Sequence, residues 1–277
     1  MANFDINAFV IDEPTRAIFM NSDDTTAWYT NQVQDFSIKV DGEEQVKKDA
    51  HGNTIATLTK GKTCETSFNV PVYDLNIVAA LNGSKKQIAG TTEYATIATP
   101  HFEEVEITND NKTAIVLSHT PTKAASEVNY RISVSTLATD GSPKKIFKQG
   151  ASTGSGTFTY TPETKTIAFA GSDLAVGDTV LIVYEYETTE AVRVVASGND
   201  FPKAGKLYVE VRGFDICDQN TAIYAYYRFP TAKLKTSYQM DIQLDSTLPM
   251  AFGCSIDYCS KNKDFYSLVV PSGNAEA

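Results

Sequence analysis

The sequence predicts a mostly β protein: a β-sandwich or barrel with one short helix, and a second, immunoglobulin-like β-sandwich inserted into it. Three observations carry this. Apolar and polar residues alternate with period two in segment after segment, as they do where successive side chains point to opposite faces of a sheet. Only one stretch has helical spacing. The middle of the chain holds a self-contained run of short strands between two linker-like stretches.

The elements follow in chain order. Residues 1–21 read as an apolar arm, with Phe4, Ile6, Phe9, Val10 and Ile11 set among Asp5, Asp12 and Glu13. Such an arm is covered either by its own domain or by a neighbouring subunit. Phe36, Ile38 and Val40 then alternate with Asp35, Ser37, Lys39 and Asp41 as a first strand, and Cys64, Thr66, Phe68 and Val70 mark a second. Between them, residues 41–54 form a polar excursion far longer than the roughly two to five residues of a hairpin loop, which reads as a functional or disordered loop. Asp74 after Pro71 is a helix N-cap, Leu75, Val78 and Leu81 recur at helical spacing with Ile77 beside them, and Gly83 is the stop.

Residues 90–98 and 196–200 read as boundaries. Between them lie predicted strands at 105–108, 114–117, 128–135, 157–161, 165–170 and 180–187. Phe158 and Tyr160 face Ile167 and Phe169 across the turn Thr161-Pro-Glu-Thr. Several short strands in about a hundred residues suit a small immunoglobulin-like sandwich. The expected organisation is therefore an outer domain from residues 1–98 and 198–277, with an insert at 99–197. In the last part, Leu207, Val209 and Val211 alternate with Tyr208, Glu210 and Arg212. Tyr238, Met240, Ile242 and Leu244 alternate with Ser237, Gln239, Asp241, Gln243 and Asp245. The polar face of that second segment is either a solvated outer face or the lining of an aqueous channel.

Composition excludes some function classes. The 277 residues carry 34 acidic and 24 basic side chains, a formal charge of −10, which argues against a general grip on phosphates. No run approaches the ~18 apolar residues of a membrane span. The first residues lack the basic region of a signal peptide. The four cysteines, Cys64, Cys217, Cys254 and Cys259, are too sparse for a disulfide scaffold and are expected reduced and mostly buried. Synthesis in a cytoplasm follows as the expectation.

Motifs for chemistry fail on context. Gly150-Ala-Ser-Thr-Gly154 fits the nucleophile-elbow string around Ser152, but that elbow requires a helix after the serine, and the strand at 157–161 follows instead. Gly61-Lys62-Thr63 lacks the glycine a phosphate loop needs five residues before Gly61, where Ala56 stands, and reads as the start of a strand. His51, His101 and His119 are isolated along the chain. Cys254 and Cys259 have no second pair to complete a zinc site. The acidic pairs Asp23-Asp24, Glu43-Glu44 and Glu103-Glu104 lack the spacing of a calcium loop. No cofactor, metal or catalytic constellation is expected, and the chain reads as a non-enzyme.

The order of elements resembles the tail tube proteins of tailed bacteriophages: arm, strand at 35–41, long loop, strand at 63–70, short helix, and late strands ending near 265–270. Phe201-Pro-Lys-Ala-Gly-Lys-Leu-Tyr-Val-Glu-Val and Tyr227-Arg-Phe-Pro-Thr-Ala-Lys add to it, and it covers both ends of the chain. The resemblance implies hexameric rings whose inner sheets close into one barrel, stacked into a tube that conducts DNA without binding it specifically. It implies that Glu43, Glu44, Lys47, Lys48, Asp49 and His51 reach the adjacent ring, and that Gln239, Asp241, Gln243 and Asp245 line the lumen. The insert would sit outside. The implied partners are further copies and other tail proteins. The implied place is the virion tail, assembled in the host cytoplasm. A capsid decoration protein or adhesin, binding through Tyr208, Tyr224 and Tyr226, is the alternative.

Overall fold

The structure, a computed structural model, describes residues 9–123, 127–216, 222–256 and 263–271. Its first strands are β1 (Phe9–Met20), β2 (Thr26–Thr30), β3 (Gln34–Lys48) and β4 (Thr54–Val70), followed by helix α1 (Leu75–Leu81). The middle contributes β5 (Gln87–Ile88), β6 (Ile97–Glu106), β7 (Ala114–Val116), β8 (Ile132–Leu137) and β9 (Pro143–Gln149). It continues with β10 (Thr157–Thr161), β11 (Thr166–Phe169), β12 (Thr179–Thr188) and β13 (Val192–Arg193). The last strands are β14 (Ala204–Asp215), β15 (Ala222–Leu234), β16 (Leu248–Cys254) and β17 (Ser267–Val269). The protein is mostly β with one short helix, and no helix of the described residues is long and apolar enough to cross a membrane.

The chain divides into two compact units, Met1–Lys86 with Val194–Ala277, and Gln87–Arg193. In the first unit one sheet runs in the order β2-β1-β14-β15-β16-β4-β3, with β17 beside β15. This sheet curls. Trp28 of β2 lies 6.2 Å from Phe68 of β4, and Phe19 of β1 lies 5.9 Å from Phe252 of β16, although those strands stand far apart in the sheet order. One face therefore closes on a single apolar core, to which Val209, Phe229, Met250 and Phe252 contribute.

Helix α1 seals that core with Ile77 and Leu81. Asp74 caps it as the sequence predicts, its carboxylate accepting from the Asn76 amide at 2.7 Å, and Gly83 ends it at φ +67°. A side chain at Gly83 would also meet the Phe201 backbone at 2.3 Å. Leu75 is exposed rather than inward, because the buried stripe runs through Ile77, Ala79 and Leu81.

In the second unit the strand order is β6-β12-β8-β9-β10-β11-β7. Strand β9 joins the group β6-β12-β8 to the group β10-β11-β7 by a two-residue parallel pairing with β10. The turn after Thr161 brings Phe158 opposite Phe169 and Tyr160 opposite Ile167, the register the sequence predicts. The core is its own: Phe147, Phe158, Ile167, Phe169, Ile182 and Tyr184 pack in one buried cluster. Strand β8 begins at Ile132, later than the sequence suggests, and Val128 is exposed.

Candidate assembly surfaces

The first surface is a projecting ribbon. Strands β3 and β4 pair from Gln34↔Asn69 to Lys48↔Thr54, whereas β16 covers β4 only from Val70 to Cys64. Residues 41–48 and 54–62 therefore pair only with each other and are exposed, apart from half-buried Ala56. The expected loop at 41–54 is thus strand up to Lys48, with a turn only at its tip. Alternation gives no signal there because both faces are wet.

Glu43 sits opposite Lys60, a favourable cross-strand charge pair. Gly61, at φ +61°, supplies a bulge between the pairs Gly42↔Lys62 and Glu43↔Lys60. Gly61-Lys62-Thr63 is therefore a kink inside a strand, not the beginning of one. At the tip, the Asp49 carboxylate accepts from the amides of His51 at 2.9 Å and Asn53 at 2.7 Å. It also accepts from Asn53 Nδ2 at 3.1 Å, and these bonds hold its carboxyl below the usual range. Val46, Ile55 and Leu58 stand 46%, 69% and 43% exposed on this ribbon. An isolated two-stranded ribbon is marginal in water. Of the residues expected to reach a neighbour, Glu43, Glu44, Lys47 and Lys48 lie along β3, and Asp49 and His51 lie in the tip.

The second surface is the wet face of the same sheet. Leu207, Val209 and Val211 point to the core, so Lys206, Tyr208, Glu210 and Arg212 point away from it. Five cations on this face are held by carboxylates, whereas Arg228 and Lys233 have no carboxylate partner among the described residues. Arg16 Nε lies 3.0 Å from Glu210, Lys39 Nζ 2.7 Å from Asp41, and Lys235 Nζ 2.6 Å from Glu65. Arg212 Nη2 lies 2.7 Å from Asp12 and 3.0 Å from Glu13, and Lys206 pairs with Asp24. Glu210 is buried and also accepts from Thr15 Oγ1 at 2.6 Å. Burial first, then the charge of Glu210, pushes the Tyr226 hydroxyl upward. Exposed pairs of this kind add little stability, so their consequence is electrostatic.

The third surface is the segment expected to be a strand at 237–245. It is a long loop joining two adjacent antiparallel strands. β15 ends at Leu234, opposite Phe252, and β16 begins at Leu248; beyond Lys235, whose amide still donates to the Ala251 carbonyl, no residue up to 247 belongs to a strand. Tyr238 and Met240 pack on the core, and the Tyr238 hydroxyl donates to Asn82 Oδ1. Asp245 takes φ +64°. Gln239 donates to Asp241 at 2.9 Å, and Gln239, Asp241, Gln243 and Asp245 are all exposed. These four residues are not one face of a strand, so the sheet argument for their lining a lumen loses its basis. Ile242 and Leu244 are 85% and 93% exposed.

Elsewhere the side chains offer little chemistry. Ser152 lies in a loop between β9 and β10 with no helix after it. Among the described residues no group of His, Cys, Asp and Glu is placed to hold a metal. The structure does bring His101 and His119 together, rings edge-on at 4.9 Å, with Tyr186 stacked on His119 at 3.9 Å. Their eighteen-residue separation hides this proximity from sequence reading. Cys64 and Cys254 are buried opposite each other on β4 and β16, and burial pushes the Cys254 thiol up to about 12. Cys217 and Cys259 lie outside the described residues, as do Phe4, Asp5 and Ile6 of the expected arm. From Phe9 onward that arm is strand β1, paired along β14.

A curled sheet with a self-paired ribbon and, among the described residues, two end strands with one neighbour each defines a mostly β protein with one short helix. The family can be stated more closely. A family model described as the YomU/Tube protein family matches residues 9–265, and the chain belongs to that family. No curated protein matches it.

Proposed function

We propose that the chain is a structural subunit of a bacteriophage tail tube, joining copies of itself into hexameric rings that stack into a conduit for DNA. The observation that carries this is the ribbon at 41–62, a stretch of β-structure that, among the described residues, pairs only with itself. Contact with another copy gives its apolar side chains, Val46, Ile55 and Leu58, the cover that the described residues of the chain do not provide. The tip residues Asp49 and His51, with Glu43, Glu44, Lys47 and Lys48 behind them, are the elements that reach the adjacent ring. Strands β2 and β3, the free ends of the sheet order, are the edges through which subunits extend one sheet into the next.

The wet sheet face is the surface that meets DNA. Most of its lysines and arginines, Arg228 and Lys233 apart, are engaged by carboxylates, so few are free to exchange counterions with phosphates. DNA then slides without sticking. The inserted unit is an immunoglobulin-like sandwich that decorates the tube. Other tail proteins cap it, and assembly takes place in the host cytoplasm before the tail becomes part of the virion.

The test is electron microscopy of the purified protein in negative stain across a concentration series. Rings or hollow tubes are expected, and a chain with residues 43–60 replaced by a two-residue turn should give neither. Compact single particles at every concentration would overturn the reading in favour of a decoration or adhesin module.

A further inference from the structure

The lysines of the first unit differ in their partners. Lys39, Lys206 and Lys235 on the wet sheet face are held by carboxylates, as above. Lys85, Lys86 and Lys203 differ: they rim a cleft of about 560 Å³ at the end of α1, and none is ion-paired with a carboxylate among the described residues. The one acid in the cleft wall, Asp23, is engaged by the Thr25 amide at 3.1 Å and the Thr25 hydroxyl at 2.5 Å, bonds that hold its carboxyl below the usual range. The apolar part of its wall includes Phe19, Ala79, Ala80 and Leu234, beside the polar Asn21, Ser22, Asn76 and Ser84. The cleft thus sets three lysines against one carboxylate, a net positive rim over a wall with apolar residues, and its volume suits an inserted side-chain cluster.

The long loop before β16 presents the opposite pattern. Ile242 and Leu244 project almost fully into solvent, bracketed in sequence by Asp241 and Asp245, and neither acid has a lysine or arginine partner among the described residues. Two aliphatic side chains this exposed, in a loop anchored by Tyr238 and Met240, bury almost no apolar surface against the described residues of their own chain. An apolar tip flanked by acids matches a partly apolar cleft whose rim is net positive.

We propose that the loop at 241–245 of one copy docks into the lysine-rimmed cleft of a second copy, with Ile242 and Leu244 against the apolar part of its wall and Asp241 and Asp245 on the lysine rim. Knob and socket are different surfaces of the same chain, so the contact is heterologous and generates closed rings or open stacks rather than isolated two-fold dimers. The inference rests on the tube reading for its biological setting and names one contact within it. It also gives Asp241 and Asp245 a role that does not require them to face a lumen.

Charge exchange on the full-length chain tests it. One variant carries Asp241→Lys and Asp245→Lys; the other carries Lys85→Glu, Lys86→Glu and Lys203→Glu. All substituted side chains are at the surface, and circular dichroism confirms that each variant melts as the parent does. Sedimentation velocity is then run on each variant alone and on an equimolar mixture. Each alone is expected to need at least about tenfold more protein than the parent to associate, a loss of about 1.4 kcal/mol per tenfold. The mixture should regain parental association, because reversed loops meet reversed clefts. Two folded variants that associate like the parent, or a mixture that stays dissociated, would overturn the docking. A parent that never associates would overturn the tube reading itself. Replacing Ile242 and Leu244 by Asn should weaken association without lowering the melting temperature, and an unchanged association would count against the knob.

Discussion

The two halves of the β3–β4 hairpin share one ladder and differ in everything else. In the root half, Cys64, Phe68 and Val70 are buried under β16 and the core aromatics. In the outer half, residues 54–62 have a partner on one side only and no layer on either face. The root half is therefore held by burial, which dominates folding stability, while the outer half is held by ladder hydrogen bonds and a tied turn. Strand structure that continues beyond its own core has another surface to meet. That is the physical ground for reading the ribbon as an assembly element.

The difference between the halves is broken most strongly at the root. Phe68→Ala removes a ring 1% exposed, and the expected cost is about 3–5 kcal/mol, seen as a large drop in denaturant midpoint. Val46→Ser with Leu58→Ser in the outer half should change folding stability by less than about 0.5 kcal/mol, yet abolish association at concentrations where the parent assembles. A stability loss in the double variant comparable to that of Phe68→Ala would erase the distinction.

Gly61 tests how far the two halves are coupled. Gly61→Val forces a branched residue into a left-handed conformation at a cost of about 1–2 kcal/mol. That cost should appear as faster amide exchange in the ribbon, with the melting temperature of the core almost unchanged.

The neutralised sheet face gives a smaller effect. Replacing Asp12, Glu13, Asp41 and Glu65 by their amides frees Arg212, Lys39 and Lys235. The variant should retain duplex DNA at low salt where the parent does not. Its log affinity should fall by about 0.9 per log unit of salt for each phosphate that the freed cations neutralise. Equal retention by both proteins would remove the non-stick role.

The smallest effect concerns the tip. Asp49 has its carboxyl held below its ordinary value of 3.8, so its support of the turn is present above that value and is lost as pH falls through the lowered folded one. Exchange of the His51 and Asn53 amides, relative to their intrinsic rates, should accelerate in that acid window. Asp49→Asn should remove the pH dependence.

Much of this is legible in the sequence where one face of a strand is dry. β3 near Phe36, β4 near Phe68, the turn after Thr161 and the Asp74 cap all follow from local pattern. β16 is not visible, because its inward Leu248, Met250, Phe252 and Cys254 alternate with Pro249, Ala251 and Gly253, small residues in place of polar ones. β1 reads as an arm because bulges between Ile11 and Glu13 and between Pro14 and Arg16 break its alternation. The converse error at 237–245 has the same origin: period two records which way side chains point and says nothing about whether a neighbouring strand is there to pair. The ribbon beyond Asp41 and the lysine-rimmed cleft are products of tertiary placement, and no local signal marks either.

The central claim is that the ribbon at 41–62 is completed by another copy of the chain. Hydrogen exchange read by mass spectrometry, on dilute and on assembled protein, addresses it most directly. The account predicts fast exchange over 41–62 in the dilute subunit and strong protection of the same peptides in the assembly, with the peptides of β14 and β16 protected in both. A ribbon already protected in the dilute subunit, or still unprotected once assembled, would contradict it.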